Sequence, residues 1–263
     1  MRFPGQVTAS DNGLGVTRTV VVFGARRGLS AIPLIYRIGR VGAMNRRQLT
    51  VALALALASA CIFVASCSKT PRPVAADALD GLLLSPAEIE IAMNADGIAV
   101  DGTSTEMSDD SANVPDQDCR FIADPAETWV YNGSGWIAMR SQHLREPVDD
   151  FAHEIRQAVV SFPSANDAAR FFSASTQRWP ACSNRQYHYI NGQGQPDAVW
   201  TVGPIVKISD TLSTTRVGGE GSACQRALTV SNNIAIDVAA CPNNPGNTAV
   251  NIAHQIAAKV AKL

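Results

Sequence analysis

The chain has 263 residues, 46% of them hydrophobic and 17% charged, with a formal net charge of −1. These proportions suit one or two globular domains and exclude a polytopic membrane protein. Eight Lys or Arg and a single acid, Asp11, precede Cys67, whereas fourteen bases and twenty-two acids follow it; that acidic balance excludes binding to nucleic acid or anionic lipid through clustered cations.

In the first segment, Val20-Val-Val-Phe-Gly-Ala-Arg-Arg-Gly28 has the outline of a strand entering a nucleotide-binding glycine turn. The βαβ unit such a site needs does not follow. Residues 1–43 are expected to be untranslated, with synthesis starting at Met44, or to be removed with the leader. From Met44, two arginines precede the apolar run from Leu49, which ends in small residues: a secretory signal over 44–66. Its last four positions, Val64-Ala-Ser-Cys67, resemble a bacterial lipobox, which makes Cys67 the lipidated first residue of the exported protein. Ala58-Ser-Ala-Cys61 has alanine where the larger aliphatic residue belongs. Cleavage before Cys67 also leaves an even set of four cysteines, Cys119, Cys182, Cys224 and Cys241, for two disulfides in an oxidising compartment.

A polar tether with Pro71 and Pro73 is expected over 67–80, followed by one domain over 81–263. Ser85-Pro-Ala-Glu88 carries a capping box with proline preset for the first turn, so a helix starts there. Residues 101–118 lack apolar periodicity and read as an acidic loop. Asp124-Pro-Ala-Glu127 repeats the cap signature ahead of a short helix through Trp129 and Tyr131, ended by the turn Asn132-Gly-Ser-Gly135. Strands are expected over Trp136–His143 and Ala152–Phe162. Ser164 then caps a helix with Ala165, Ala168, Ala169, Phe172 and Trp179 on its apolar stripe. Short strands follow over 198–202, 205–208, 212–217, 227–230 and 234–238, with turns at Asn191–Gly194 and Gly218-Gly219. A final helix from Thr248 to Leu263 buries Ala249, Ile252, Ala253, Ile256 and Val260, with Lys259 and Lys262 at its C-terminal end, where the dipole favours cations. The fold class is α+β.

Several motifs occur in a telling order: Cys119, Gly133-Ser-Gly-Trp136, Gln157-Ala-Val-Val-Ser-Phe-Pro-Ser-Ala165, Phe171-Phe172, Trp179-Pro-Ala-Cys182, Cys224 and Asn232-Asn-Ile-Ala-Ile-Asp-Val-Ala-Ala-Cys241. Together, over roughly Leu84 to Leu263, they resemble the extracellular sensor domain of PknH-type mycobacterial kinases, which also occurs in lipoproteins with no kinase attached. The resemblance implies a mixed, mainly antiparallel sheet flanked by helices, a cleft for an unidentified ligand, and disulfides Cys119–Cys182 and Cys224–Cys241. The second pair also follows from the residues, since Cys224 and Cys241 flank two strands joined by a turn at Ser231–Asn233. That pairing leaves Cys119 to Cys182.

Catalytic chemistry finds little support. His153-Glu154 opens like a zinc-protease helix, but Gln157 stands where the second histidine must lie. His143, His153, His188 and His254 show no ligand spacing, and no Gly-x-Ser-x-Gly elbow is present. No catalytic residue, metal site or cofactor is expected. Trp129, Tyr131, Trp136, Tyr187 and Tyr189 are the candidate ligand-binding residues. Trp179 and Trp200 could also line an apolar pocket, although core packing explains these rings equally well. The expected protein is a lipid-anchored, non-enzymatic envelope protein. It takes a small-molecule or cell-wall ligand or, alternatively, docks another envelope protein through its surface.

Overall fold

The computed structural model describes residues 72–263, apart from 192 and 243. Segment 1–43, the leader over 44–66 and Cys67 lie outside the described residues.

The centre of the domain is a nine-stranded sheet in the order β1-β2-β3-β9-β8-β7-β5-β4, with β6 also paired to β7. The strands are β1 Ala99–Ser104, β2 Ala138–Arg145, β3 Glu154–Ser161, β4 Gln186–Ile190, β5 Pro196–Val202, β6 Val206–Ile208, β7 Thr211–Val217, β8 Ala223–Ser231 and β9 Ile234–Cys241. Every pairing between these strands is antiparallel, so the sheet is not mixed. The helices are α1 Pro86–Met93, α2 Arg120–Ala123, α3 Thr128–Tyr131, α4 Ala165–Arg178 and α5 Thr248–Val260.

Strands β3 and β9 are covered on both faces, which explains their near-continuous apolar sequence. On one face, α1 and α5 close over an aliphatic core that includes Ile155, Val159, Ile234, Ile236, Val238, Ile252 and Ile256. The five apolar positions expected to be buried on α5 are all buried. On the other face, α4 and the short helices cover a core rich in aromatics, including Tyr131, Phe162, Phe171, Phe172 and Trp179. The bridge Cys119–Cys182 lies on this side, and Cys224–Cys241 joins β8 to the end of β9.

Four local expectations need correcting. The expected tether is already folded from Val74. Val74 and the buried Asn233 side chain exchange hydrogen bonds (2.7 and 3.1 Å), and Leu79, in a 3-10 turn over Ala76–Gly81, is fully buried. The acidic loop begins later than residue 101, because Ala99–Ser104 pairs with β2 and is stabilised by backbone bonds rather than by apolar alternation. Asp124 does not cap a helix: the cap position of α3 is Glu127, which makes no side-chain cap bond, and the Asp124 carboxylate faces Arg216 instead. On α4, Ala165 and Ala169 are exposed and Phe171 turns inward beside Phe172. The capping box at Ser85 and Glu88 is present, with both reciprocal bonds.

Candidate functional site

A cleft of about 810 Å³ opens at one end of the strands. One side is the β2–β3 connection, Asp149 to Ala152, and the other carries Tyr189, Asp197 and Trp200 from β4 and β5. The turn Gly221-Ser222 and the Cys224–Cys241 bridge complete the wall, and Asp124, Glu154, Arg156 and Arg216 supply charge. The volume is within the range of small-molecule sites, but this lining is more polar than such sites usually are.

Each charged group is placed by strand register. Arg216 on β7 is 8% exposed. It donates to the Ala123 carbonyl and, at 2.6 Å, to the Tyr187 hydroxyl, and lies 3.5 Å from Asp124. Burial opposes its charge, but Tyr187 and Asp124 outweigh burial and raise its pKa. Arg156 and Glu154 are two residues apart on β3 and share a face. Arg156 Nε lies 3.2 Å from Glu154, and its Nη1 is 3.9 Å from Asp124. Glu154 also meets His143 Nε2 at 2.8 Å, while His143 Nδ1 is 3.0 Å from Asp101. Burial resists ionisation of Glu154, yet His143 and Arg156 together hold its carboxyl at about 2.

Behind Asp124 lies a buried polar network. The Asp124 carbonyl accepts from Arg226 at 3.0 Å, and Arg226 pairs with Asp237. Asp237 Oδ2 accepts from the Ala126 N–H and from the Tyr131 hydroxyl, both at 3.0 Å. Ala126 has φ 54°, a left-handed conformation unusual for alanine, and its bond to Asp237 holds it there. Glu127 is 4% exposed and accepts from the Asp110 N–H at 2.9 Å. Burial pushes its carboxyl up to about 7, with the charges of Asp110 and Asp124 adding to the shift.

Of the five candidate aromatic residues, only Tyr189 lines the cleft. Tyr131 and Tyr187 are buried, with hydroxyls committed to Asp237 and Arg216. Trp129 is half exposed and stacks under Arg120, away from the cleft lining, and Trp136 packs against the aromatic core. Trp179 is core, with Arg226 over its ring. Trp200 does line the cleft, where its ring engages the Arg216 guanidinium and lies against Gly218. A Cβ at Gly218 would approach that ring to 3.2 Å. The expectation of an aromatic, apolar pocket therefore gives way to a charged one. Sequence reading assigned Asp124 to a helix cap and Glu154 to an incomplete metal motif, and gave Arg156 and Arg216 no role; the usable signal was the charge on β3, Glu154 and Arg156, ahead of its apolar run. The remaining histidines are also engaged or exposed: His153 meets Glu146, His254 meets Thr211, and His188 is exposed. Among the described residues no cluster of three or more His, Cys, Asp or Glu is arranged to hold a metal ion.

An antiparallel sheet between two helical layers, fastened by two disulfides and opened by a polar cleft, defines an α+β domain. Residues 74–259 match the PknH-like extracellular domain, and the chain belongs to that family. It is 32% identical over 217 residues to the serine/threonine-protein kinase PknH of Mycobacterium bovis, covering 81% of this chain and 36% of that protein. The PknH of Mycobacterium tuberculosis gives the same identity, with 34% of its length covered. The chain thus spans about a third of the length of these curated relatives. The crystal structure of the extracellular domain of PknH from Mycobacterium tuberculosis superposes with a TM-score of 0.70 at 31% identity, covering 73% of this chain and 99% of that one. The match is to the extracellular part of the relative, not to its kinase part.

Proposed function

We propose that this chain is a lipid-anchored envelope protein whose domain binds an extracellular ligand in the cleft and catalyses no reaction. The observation that carries the reading is the cleft itself: 810 Å³, lined by charged side chains whose positions are locked by a buried network. Such pre-organisation favours binding, because the groups are not reordered when a ligand arrives. Among the described residues no helix is long and apolar enough to cross a membrane. Attachment in this reading rests on acylation of Cys67.

Native mass spectrometry of the full chain purified from envelope membranes tests the ligand reading. A stoichiometric small molecule, lost on mutation of Arg156, is the expected result; an empty domain overturns it. Cys67→Ala should abolish acyl labelling and leader removal, and persistent labelling would move the lipid to Cys61. A second reading, an adaptor that docks another envelope protein, draws on Val199, Val206, Ile208 and Val217. These exposed residues fall on one sheet face by register. Crosslinking to a single protein with no bound small molecule would favour it.

A further inference from the structure

We infer that the cleft takes a zwitterionic ligand, an amino acid or short peptide. Its carboxylate would rest on Arg156 and Arg216, and its ammonium between the rim carboxylates Asp149, Asp150 and Asp197. The inference rests on the reading of the cleft as a ligand site and specifies the chemistry of that ligand.

The first argument is that charge in this cleft is incompletely paired: the arginines, although set beside Asp124 and Glu154, keep unused donors, and three further carboxylates at the opening have no cationic partner among the described residues. Deep in the cleft, Arg216 is more than nine-tenths buried, yet its Nε has no hydrogen-bond partner among the described residues. A buried donor left in this state is unfavourable unless an acceptor is supplied. Arg156 beside it uses Nε on Glu154, but its Nη1 comes no nearer than 3.9 Å to Asp124, beyond hydrogen-bond range. Neither arginine is indispensable to its acidic neighbour. Glu154 retains His143 at 2.8 Å, and Asp124 is approached by both guanidiniums. Two guanidiniums with spare donors are suited to a carboxylate, which they can grip with paired hydrogen bonds.

The rim is of the opposite sign. Asp149 and Asp150 on one side and Asp197 on the other are exposed and make no ion pair among the described residues. A purely anionic ligand would meet these three carboxylates on entry, and a purely cationic one would leave the spare arginine donors unfilled. A neutral sugar would depend on stacking against aromatic rings, and those rings are already in use. Trp200 engages Arg216 and Gly218, Phe151 lies under Arg145 at 4.8 Å, and the Tyr189 hydroxyl accepts from Asn113 at 3.1 Å. A ligand with a carboxylate at one end and an ammonium at the other satisfies both regions at once.

The test is calorimetric titration of the purified full chain with trialanine, N-acetyl-trialanine and trialanine amide. Each cap removes one charge, and each is expected to weaken binding up to about fivefold, the effect of losing a partly exposed ion pair. In an Asp149→Asn/Asp150→Asn variant, altered only on an exposed turn and still carrying Asp197, the acetylation penalty should shrink while the amidation penalty is kept. Arg156→Gln should do the reverse. This crossed pattern cannot arise from a general loss of folding. Equal affinity for capped and free peptide, unchanged cap penalties in the variants, or no binding of any of the three at about 10 mM would overturn the inference. A neutral or purely anionic molecule found in the envelope-purified chain would also overturn it while leaving the ligand-binding reading intact; an empty chain overturns that reading itself.

Discussion

On the α5 face of the sheet, Ile236 and Val238 of β9 meet Ile252 and Ile256 in a core of aliphatic side chains, whereas Asp237 between them turns to the α4 face and meets Arg226, Tyr131 and the Ala126 N–H. One face is held by dispersion and exclusion of water, which are non-directional. The other places ionised groups at 1–2% exposure, where desolvation offsets much of the attraction between them. The charged face is also the one that opens, since the Asp124 carbonyl joins the buried network while its carboxylate lines the cleft. The contrast teaches that the faces differ in kind rather than in whether they stabilise: both bury apolar side chains, but only the α4 face adds charged groups whose orientation is carried to the opening.

The most severe way to break this contrast is to unbalance the buried pair. Asp237→Ala leaves Arg226 buried without its carboxylate and should destabilise the domain by about 3–5 kcal/mol. A combined Arg226→Met/Asp237→Leu variant should recover much of that loss, because neither charge is then stranded. Denaturant midpoints for the single and double variants check this, and a double variant as unstable as the single would contradict the account. The disulfides come next. Bridge Cys119–Cys182 spans 63 residues and Cys224–Cys241 spans 17. Loop-closure entropy then assigns them about 4 and about 3 kcal/mol, respectively. Paired Cys→Ala variants should follow that order by denaturation, and only loss of Cys224–Cys241, which borders the cleft, should alter ligand affinity in a still-folded chain.

The two faces were also unequally legible in the sequence. Helix α5 and its buried stripe follow directly from a 3.6-residue apolar period, and the turn at Ser231–Asn233 with flanking cysteines marks the β8–β9 hairpin. The α4 face resisted because its determinants are long-range. Asp124 sits in a sequence that reads as a helix cap, but Arg216, 92 residues away, draws its carboxylate elsewhere. Tyr131 and Tyr187 read as rings that could reach a ligand or pack in the core, and their hydroxyls find buried partners 106 and 29 residues distant, respectively. Periodicity records burial against a near neighbour and carries no information about which distant charge a side chain will meet. The cleft was therefore implied only through family resemblance, and its charged lining could not be read from periodicity.

A pH titration sharpens the comparison, because the carboxyls whose values move furthest belong to the charged half. Glu154 is held at about 2, below the ordinary 4.5, so its contribution is present above pH 4.5 and is lost as pH falls through about 2. Glu127 is raised to about 7, so its stability contribution is present below pH 4.5 and is lost as pH rises through about 7. Each shift corresponds to roughly 3 kcal/mol. Glu127→Gln should therefore gain on the wild type between pH 4.5 and 7 and hold a constant advantage above that. Glu154→Gln should be less stable than the wild type at neutral pH, with the difference closing towards pH 2. Thermal melts across this range check both, and parallel pH profiles for the two variants would contradict the assignment.

The smallest expected effect probes the rim of the aliphatic face. Lys259 Nζ donates to the Leu83 carbonyl at 3.0 Å and to Glu88 at 3.1 Å, which ties α5 to the start of α1. A helix-dipole explanation of Lys259 needs no particular partner, whereas this geometry does. Lys259→Met keeps the apolar stem that packs along the helix and removes only the charge and its hydrogen bonds. Because both side chains are partly solvated, the loss should stay below about 1 kcal/mol and shrink further in high salt. Glu88 stays anchored by the Ser85 capping box, so Glu88→Gln in the Lys259→Met background should weaken that cap and add its own small loss. If the pair makes a real contact, the double-mutant cycle will show a coupling energy; additive losses would mean that Lys259 acts only through the dipole of its own helix.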